Sequence, residues 1–306
     1  MMMGETWLDW DRDGKDWPHR SSTRFVETAG LRWHVQEMGP DNAPVLLLLH
    51  GTGASTHSWR HILPLLAQQF RLLAIDLPCH GFTRPLSPAD LSLPGMTRSI
   101  AALLAHLHVT PAMIAGHSAG GAIAVSLAAV RGREAAPAVV AINGAFLPIR
   151  GDRLFSPLAK ALFANPFSAS MFSLLARTTP LGGNLLSATG SRIDEPGAAL
   201  YRRLLTSPGH VRGALGMMAA WDLTRFASLL GSLSSPVVLI AASDDPMVPV
   251  RNSQEAARLN RTARLVLAER GGHLLHECDP GFVSGAIVDA LSAVASSRAK
   301  EGVDAA

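Results

Sequence analysis

The sequence predicts an α/β protein with a mostly parallel central sheet, helices on both faces and an inserted helical cap. Three observations predict it. An apolar strand, a glycine-containing loop and an apolar-faced helix recur from residue 45 to residue 142, the order that builds parallel strands joined by crossover helices. That rhythm stops over 146–221 and resumes at Val237. The 306 residues are 48% hydrophobic and 17% charged, enough to bury a sizeable core and too apolar for wholesale disorder.

Residues 1–22 carry Trp7, Trp10 and Trp17 among polar neighbours, and three indoles in so short a stretch suggest an arm packed on the domain surface. Phe25-Val26, then Leu31, Trp33 and Val35, read as a hairpin turning at Ala29-Gly30. Val45 to Leu49 is apolar on both faces, as a strand covered on two sides must be. After the break at His50-Gly51-Thr52-Gly53, Trp59, Ile62, Leu63, Leu65 and Leu66 recur at helical spacing. Strands follow at 71–76, 112–116 and 139–142, with helices carrying Ile100, Leu103, Leu104 and Leu107 and then Ala119 to Val130. The proline-broken apolar clusters of 146–221 read as short cap helices. Strands at 237–240 and 263–267 and a helix at 282–295 close the chain. The expected division is an arm at 1–22, a core in two parts at 23–145 and 222–306, and a cap at 146–221.

Charge and cysteine content exclude several classes. Twenty-seven Lys and Arg against 24 Asp and Glu leave +3, too balanced a charge to argue for nucleic acid. Cys79 and Cys278 cannot form a disulfide framework or a four-cysteine zinc site, and free thiols in a reducing compartment are the simpler reading. The first 30 residues hold Asp9, Asp11, Asp13 and Asp16 and no apolar block. No apolar run approaches the roughly 18 residues that cross a bilayer. The expectation is a cytoplasmic protein, with peripheral membrane contact left open.

Gly116-His117-Ser118-Ala119-Gly120 carries the strongest chemical signal. It is a G-x-S-x-G pattern between a short apolar strand and a helix, where a sharp turn raises the serine hydroxyl above the sheet edge. A serine needs a base and an acid that orients it. His273, behind Gly271-Gly272 and the 263–267 strand, is the candidate base, and the nearby His276 reads instead as a helix-side or surface residue. Ser243-Asp244-Asp245-Pro246 offers two adjacent carboxylates that cannot both point the same way. Asp245 is favoured as the acid, with Asp244 as the alternative. The backbone N–H of Ala119 and that of Thr52, within the glycine-flanked 50–53 loop, are the candidate oxyanion donors. His50 is expected to bond within its loop, with His57 and Trp59 at the entrance. No metal-ligand spacing, P-loop or G-x-G-x-x-G pattern is present, so no metal or cofactor is expected.

HGTG at 50–53, GHSAG at 116–120, SDDPMVP at 243–249 and GGH at 271–273 together resemble the α/β-hydrolase superfamily over nearly the full chain. The resemblance implies the α/β-hydrolase fold, a Ser118–Asp245–His273 triad and oxyanion donors at Thr52 and Ala119. One departure is Asp76-Leu77-Pro78-Cys79-His80-Gly81, where Cys79 stands in place of a glycine. Different local dihedrals are expected there, around a packed thiol. A nearer resemblance, carried by Trp10 to Arg20, Trp33-His34-Val35-Gln36 and His50 to Arg60, is to the magnesium-chelatase accessory family of bacteriochlorophyll biosynthesis. It implies association with magnesium insertion, with chelatase components or a porphyrin intermediate as partners. Nothing here resembles a nucleotide-driven chelatase motor.

Cap residues Phe155, Phe163, Phe167, Met171 and Phe172 are candidates to cover a large, flat apolar ligand, and Met217 and Trp221 lie near the cap junction. Phe146 is ambiguous for the same reason. Given the family resemblance, Arg150, Arg153 and Lys160 are candidates to meet carboxylates such as porphyrin propionates. The expected activity is hydrolysis of an ester or similar acyl bond on a small hydrophobic substrate. The alternative is a noncatalytic porphyrin-binding or chelatase-assembly factor. Haloalkane and epoxide chemistry on this fold normally uses a carboxylate nucleophile, whereas position 118 is serine.

Overall fold

The computed structural model describes residues 6–130, 136–147, 160–165 and 167–304. Strands are β1 (Thr23–Thr28), β2 (Leu31–Met38), β3 (Val45–Leu49), β4 (Arg71–Ile75), β5 (Arg84–Pro85), β6 (Met113–His117), β7 (Ala138–Ile142), β8 (Val237–Ala242) and β9 (Ala263–Ala268). They form one sheet in the order β1-β2-β4-β3-β6-β7-β8-β9, with β5 paired to β2. The β1–β2 and β2–β4 pairs are antiparallel; every pair from β4 to β9 is parallel. The expected mostly parallel α/β sheet is therefore present.

Local chemistry explains the elements. Ala29 and Gly30 both take positive φ, 53° and 71°, the primed turn whose twist matches that of the flanking strands. β3 is apolar throughout, and β6 is apolar up to His117, because both faces are covered. On one face Leu47, Leu49, Ile100, Leu103, Ile123 and Leu239 join a continuous core. On the other, Leu46, Leu48, Ile62, Leu66, Val140 and Ile287 form a second. Phe146 is fully buried and stacks on Phe226 at 5.6 Å, so it belongs to the first core. Among the described residues, no helix is long and apolar enough to cross a membrane.

Between β7 and β8 the chain forms a helical insertion that includes helices Ser168–Thr178, Leu181–Ala188, Glu195–Leu205 and Pro208–Ala220. The last of these packs tightly against the segment after β4 and against the N-terminal arm, and its glycines explain how. A Cβ on Gly213 would overlap the Cys79 carbonyl, and one on Gly209 would press on the Trp7 ring. Cys79 itself sits at φ 62°. A non-glycine residue thus occupies the left-handed region at this position, at a cost of about 1–2 kcal/mol, and its thiol is buried, the packed state expected of it.

The N-terminal arm joins both layers. Trp17 is buried with Phe82 from the sheet side and Leu200 and Leu204 from the insertion, and its indole N–H donates to Thr56 Oγ1 at 3.2 Å. Trp10 packs edge-on against Phe25 and Phe82.

Gly213→Ala should lower stability by about 1–3 kcal/mol, because the helix must retreat from the Cys79 carbonyl. Gly183→Ala, a helical site with open space around it, should be neutral or stabilising. Urea unfolding midpoints measure both, and equal midpoints for the two variants would contradict this packing.

Candidate active site

β6 delivers Ser118 to the carboxyl edge of the sheet with its backbone at φ 51°, a conformation L-residues rarely adopt. Surrounding bonds hold it there. Ser118 N–H donates to the Ile142 carbonyl at 2.9 Å, and its carbonyl accepts from Gly121 N–H at 3.0 Å. The flanking glycines are steric requirements. A Cβ on Gly116 would overlap the Gly120 carbonyl, and a Cβ on Gly120 would lie 2.6 Å from the His50 carbonyl. The Ser118 side chain has no protein hydrogen-bond partner among the described residues, and the residue is partly exposed.

His273 donates from Nδ1 to Asp245 Oδ2 at 2.8 Å, with the carboxylate side chain fully buried and the imidazole 12% exposed. The other Asp245 oxygen accepts from Met247 and Val248 N–H at 2.8 and 2.9 Å. Asp244 does a different job, accepting from Gly272 N–H at 2.9 Å and Gly271 N–H at 3.3 Å. The two adjacent carboxylates therefore point apart: one holds the imidazole, the other its loop.

Two further residues fix that loop, and the first of them was not anticipated from sequence. Asn143, at φ 46° just beyond β7, donates from Nδ2 to the Gly272 and His273 carbonyls at 2.9 and 2.8 Å. Its Oδ1 accepts from Ala242 N–H at the end of β8. His117 Nε2 donates to the His273 carbonyl at 2.8 Å, so the residue preceding Ser118 touches the backbone of His273. An asparagine followed by glycine at a strand end was the available signal for Asn143.

The 50–53 loop lies against the serine: a Cβ on Gly51 would be 3.1 Å from Ser118 Cβ. Among the described residues, neither Thr52 N–H nor Ala119 N–H donates to a loop or turn carbonyl. His50 holds this loop, donating from Nδ1 to the Gly51 carbonyl and accepting Leu77 N–H on Nε2, both at 2.8 Å. His210 of the insertion reaches the same loop, donating from Nε2 to the Gly53 carbonyl at 3.1 Å while Nδ1 accepts Gly81 N–H. Thr52 Oγ1 meets Met217 Sδ at 3.4 Å.

The predicted cap residues separate. Met217 is buried beside Thr52, and Trp221 packs at the edge of the first core. Phe163 and Phe172 pack against Ala169, Val211 and Leu215 within the insertion. Phe167 and Met171 are solvent-exposed, at 74% and 56%. Phe155, Arg150 and Arg153 lie outside the described residues, and Lys160 is exposed.

Three expectations are corrected. His57 and Trp59 do not edge an entrance, because both are fully buried, His57 against Tyr201 and Trp59 against His276. His276 lies in the short helix Leu275–Cys278 but is not a surface residue: it is fully buried, its ring tilted against that of His117, and bonded to Ser58 Oγ at 2.7 Å. Periodicity could not reveal this, because the burying partners lie more than 150 residues away in sequence. Among the described residues, no group of three or more His, Cys, Asp or Glu is arranged to hold a metal ion.

Comparison with known proteins agrees with this architecture. Residues 44–280 match the α/β hydrolase fold family, and the chain belongs to that family. It is 41% identical over 278 residues to the magnesium-chelatase 30 kDa subunit of Rhodobacter capsulatus, covering 90% of this chain and 96% of that one. A pimeloyl-[acyl-carrier protein] methyl ester esterase of Xanthomonas campestris pv. campestris is 27% identical, over 78% of this chain and 91% of its own. The crystal structure of a hydrolase from Pseudomonas aeruginosa PA01 superposes with a TM-score of 0.72 at 22% identity, covering 88% of this chain and 98% of that one.

The buried imidazoles make stability pH-dependent. Burial lowers the pKa of His50, His57, His80 and His117, that of His210 to about 4 and that of His276 to about 3. An unfolded histidine protonates near pH 6.5, so below that pH the unfolded chain binds protons the folded chain refuses. Stability is fully present above about pH 6.5 and falls as pH drops toward 4. Urea midpoints should decline steadily from pH 7 to pH 5, and a flat profile would contradict the neutral, buried state of these rings.

Proposed function

We propose that the protein is a serine hydrolase of ester or similar acyl bonds, acting in association with magnesium insertion in bacteriochlorophyll biosynthesis. The observation that carries the chemistry is the 2.8 Å bond from His273 Nδ1 to buried Asp245, one loop away from a serine held at φ 51°. The Asp245 bond fixes the tautomer that leaves Nε2 free to act as a base. Ser118 Oγ attacks the acyl carbon as His273 takes its proton, and the same imidazole returns that proton to the leaving alcohol. Water, deprotonated by His273, then attacks the acyl-enzyme, and the Ser118 Oγ–acyl bond breaks as the imidazolium returns that proton to Ser118 Oγ and the acid is released. The N–H groups of Thr52 and Ala119 receive the negative charge of each tetrahedral intermediate, and losing one such donor costs about 2.7–4 kcal/mol. In apo enzymes the serine–histidine bond is often long and tightens only with substrate bound.

Met217, beside Thr52, is the cap-derived side chain best placed to touch an acyl group. Phe155, Phe163, Phe167, Met171, Phe172 and Trp221 remain proposed contributors to an apolar substrate surface. The pathway assignment rests on 41% identity with the magnesium-chelatase 30 kDa subunit over nearly the whole chain.

That same relationship favours a second reading, in which the protein binds a porphyrin intermediate or chelatase components and catalysis is dispensable. The two separate cleanly. Against p-nitrophenyl esters, Ser118→Ala and Asp245→Asn should each lower kcat by about 10³-fold or more with unchanged far-UV circular dichroism. In cells lacking the native gene, Ser118→Ala should fail to restore pigment. Full pigment rescue by that variant would favour the binding role over catalysis.

A further inference from the structure

The insertion makes direct bonds to the loop that carries His273. Thr189-Gly190-Ser191 leaves the helix Leu181–Ala188 and runs between the acid loop and the histidine loop. His273 N–H donates to the Thr189 carbonyl at 2.9 Å. Ser191 Oγ donates to the Gly271 carbonyl at 2.8 Å and accepts Leu274 N–H at 2.8 Å. The fit has no slack. A Cβ on Gly272 would stand 2.6 Å from both Gly190 C and Ser191 Oγ, and one on Gly190 would stand 2.9 Å from Pro246 Cδ. Gly190 and Gly272 take φ of 70° and 62°, so both glycines are required by conformation as well as by space.

Backbone accounting shows what this segment contributes. All eight main-chain donors and acceptors of residues 271–274 are satisfied. Asp244 takes the N–H of Gly271 and Gly272. Asn143 and His117 serve the carbonyls of Gly272 and His273. Leu274 O accepts from Glu277 N–H and Cys278 N–H. Among the described residues, the remaining three, Gly271 O, His273 N and Leu274 N, are served by Thr189 and Ser191 alone. A second tie lies one turn further along: Glu277 Oε1 accepts from Tyr201 OH and Ser58 Oγ, each at 2.7 Å. Arg60 pairs with its other oxygen and reaches Asp194 at 2.5 Å. Tyr201 and Asp194 also belong to the insertion.

We infer that Thr189-Gly190-Ser191 is a clasp by which the insertion positions the triad base, with Ser191 as its positioning residue. The insertion is then a working part of the catalytic apparatus, and it cannot lift at this end without releasing His273. Substrate enters elsewhere along its margin. This inference rests on His273 being the base, and its test is read in two independent ways.

The first reading is hydrogen–deuterium exchange of the amides of 271–274 in the full-length protein, which needs no catalysis. Ser191→Ala should speed exchange at Leu274 and His273 while the Asp244-bound amides of Gly271 and Gly272 stay protected. The second is turnover of a p-nitrophenyl ester. Ser191→Ala should lower kcat about tenfold with KM little changed, and Ser191→Thr, which keeps the hydroxyl, should restore most of both readings. Gly190→Ala, which wedges the two loops apart, should reproduce the Ser191→Ala pattern. Unchanged exchange in Ser191→Ala would overturn the clasp, and so would faster exchange with wild-type kcat. If wild type itself shows no turnover, the hydrolase reading fails, and the exchange result alone supports or overturns the clasp.

Discussion

The site depends on a steric constraint at one turn. Ser118 occupies a left-handed backbone conformation because β6 must reverse into the helix Ala119–Val130 within a single residue. The reversal is possible only because Gly116 and Gly120 carry no side chain where the turn, the end of β3 and the 50–53 loop converge. That compression brings Gly51 against Ser118 and leaves the first helical N–H beside the nucleophile. The parallel register from β3 through β9 then ends the remaining strands at the same edge, where Asn143, Asp245 and His273 meet.

Around this edge the polar groups form a nested set of restraints. Asp245 orients the imidazole, Asp244 and Asn143 hold its loop, and His50 and His210 hold the facing loop. Asp76 supports the second layer, accepting from Thr56 N–H, Phe82 N–H and His34 Nδ1 at 2.7–2.8 Å. Burial alone would raise this carboxyl, yet the His34 imidazole and the N–H donors hold it well below the usual carboxylate range. The helical insertion and the tryptophan arm close over these restraints. The insertion reaches the sheet edge through glycines and through hydrogen bonds to backbone groups of the loops, and the arm through the Trp17 bond to Thr56 Oγ1.

The sheet was legible because its signals are local. Apolar runs of five residues, the Ala29-Gly30 turn and the G-x-S-x-G pattern each report on neighbours a few residues away. The candidate Ser118, Asp245 and His273 came from motifs at strand ends, and the structure joins the last two directly. What stayed hidden is long-range. Asn143 reads as an ordinary turn residue until the 130-residue gap to His273 is closed. Ser191 has no sequence mark, because its role is defined by a loop 80 residues away. His57 and His276 look exposed in a polar context, yet are buried by Tyr201, Trp59 and His117 from distant segments. Composition located the insertion but not which of its aromatic residues face inward, since Phe163 and Phe167 have the same local character and opposite surroundings.

A covalent reading of the serine reaches the central claim most directly. After treatment of the folded protein with a fluorophosphonate, intact-mass and peptide analysis should find one adduct, on Ser118, with little formed in His273→Ala at the same concentration. An unmodified Ser118 in natively folded protein, or equal labelling without the imidazole, would contradict the account.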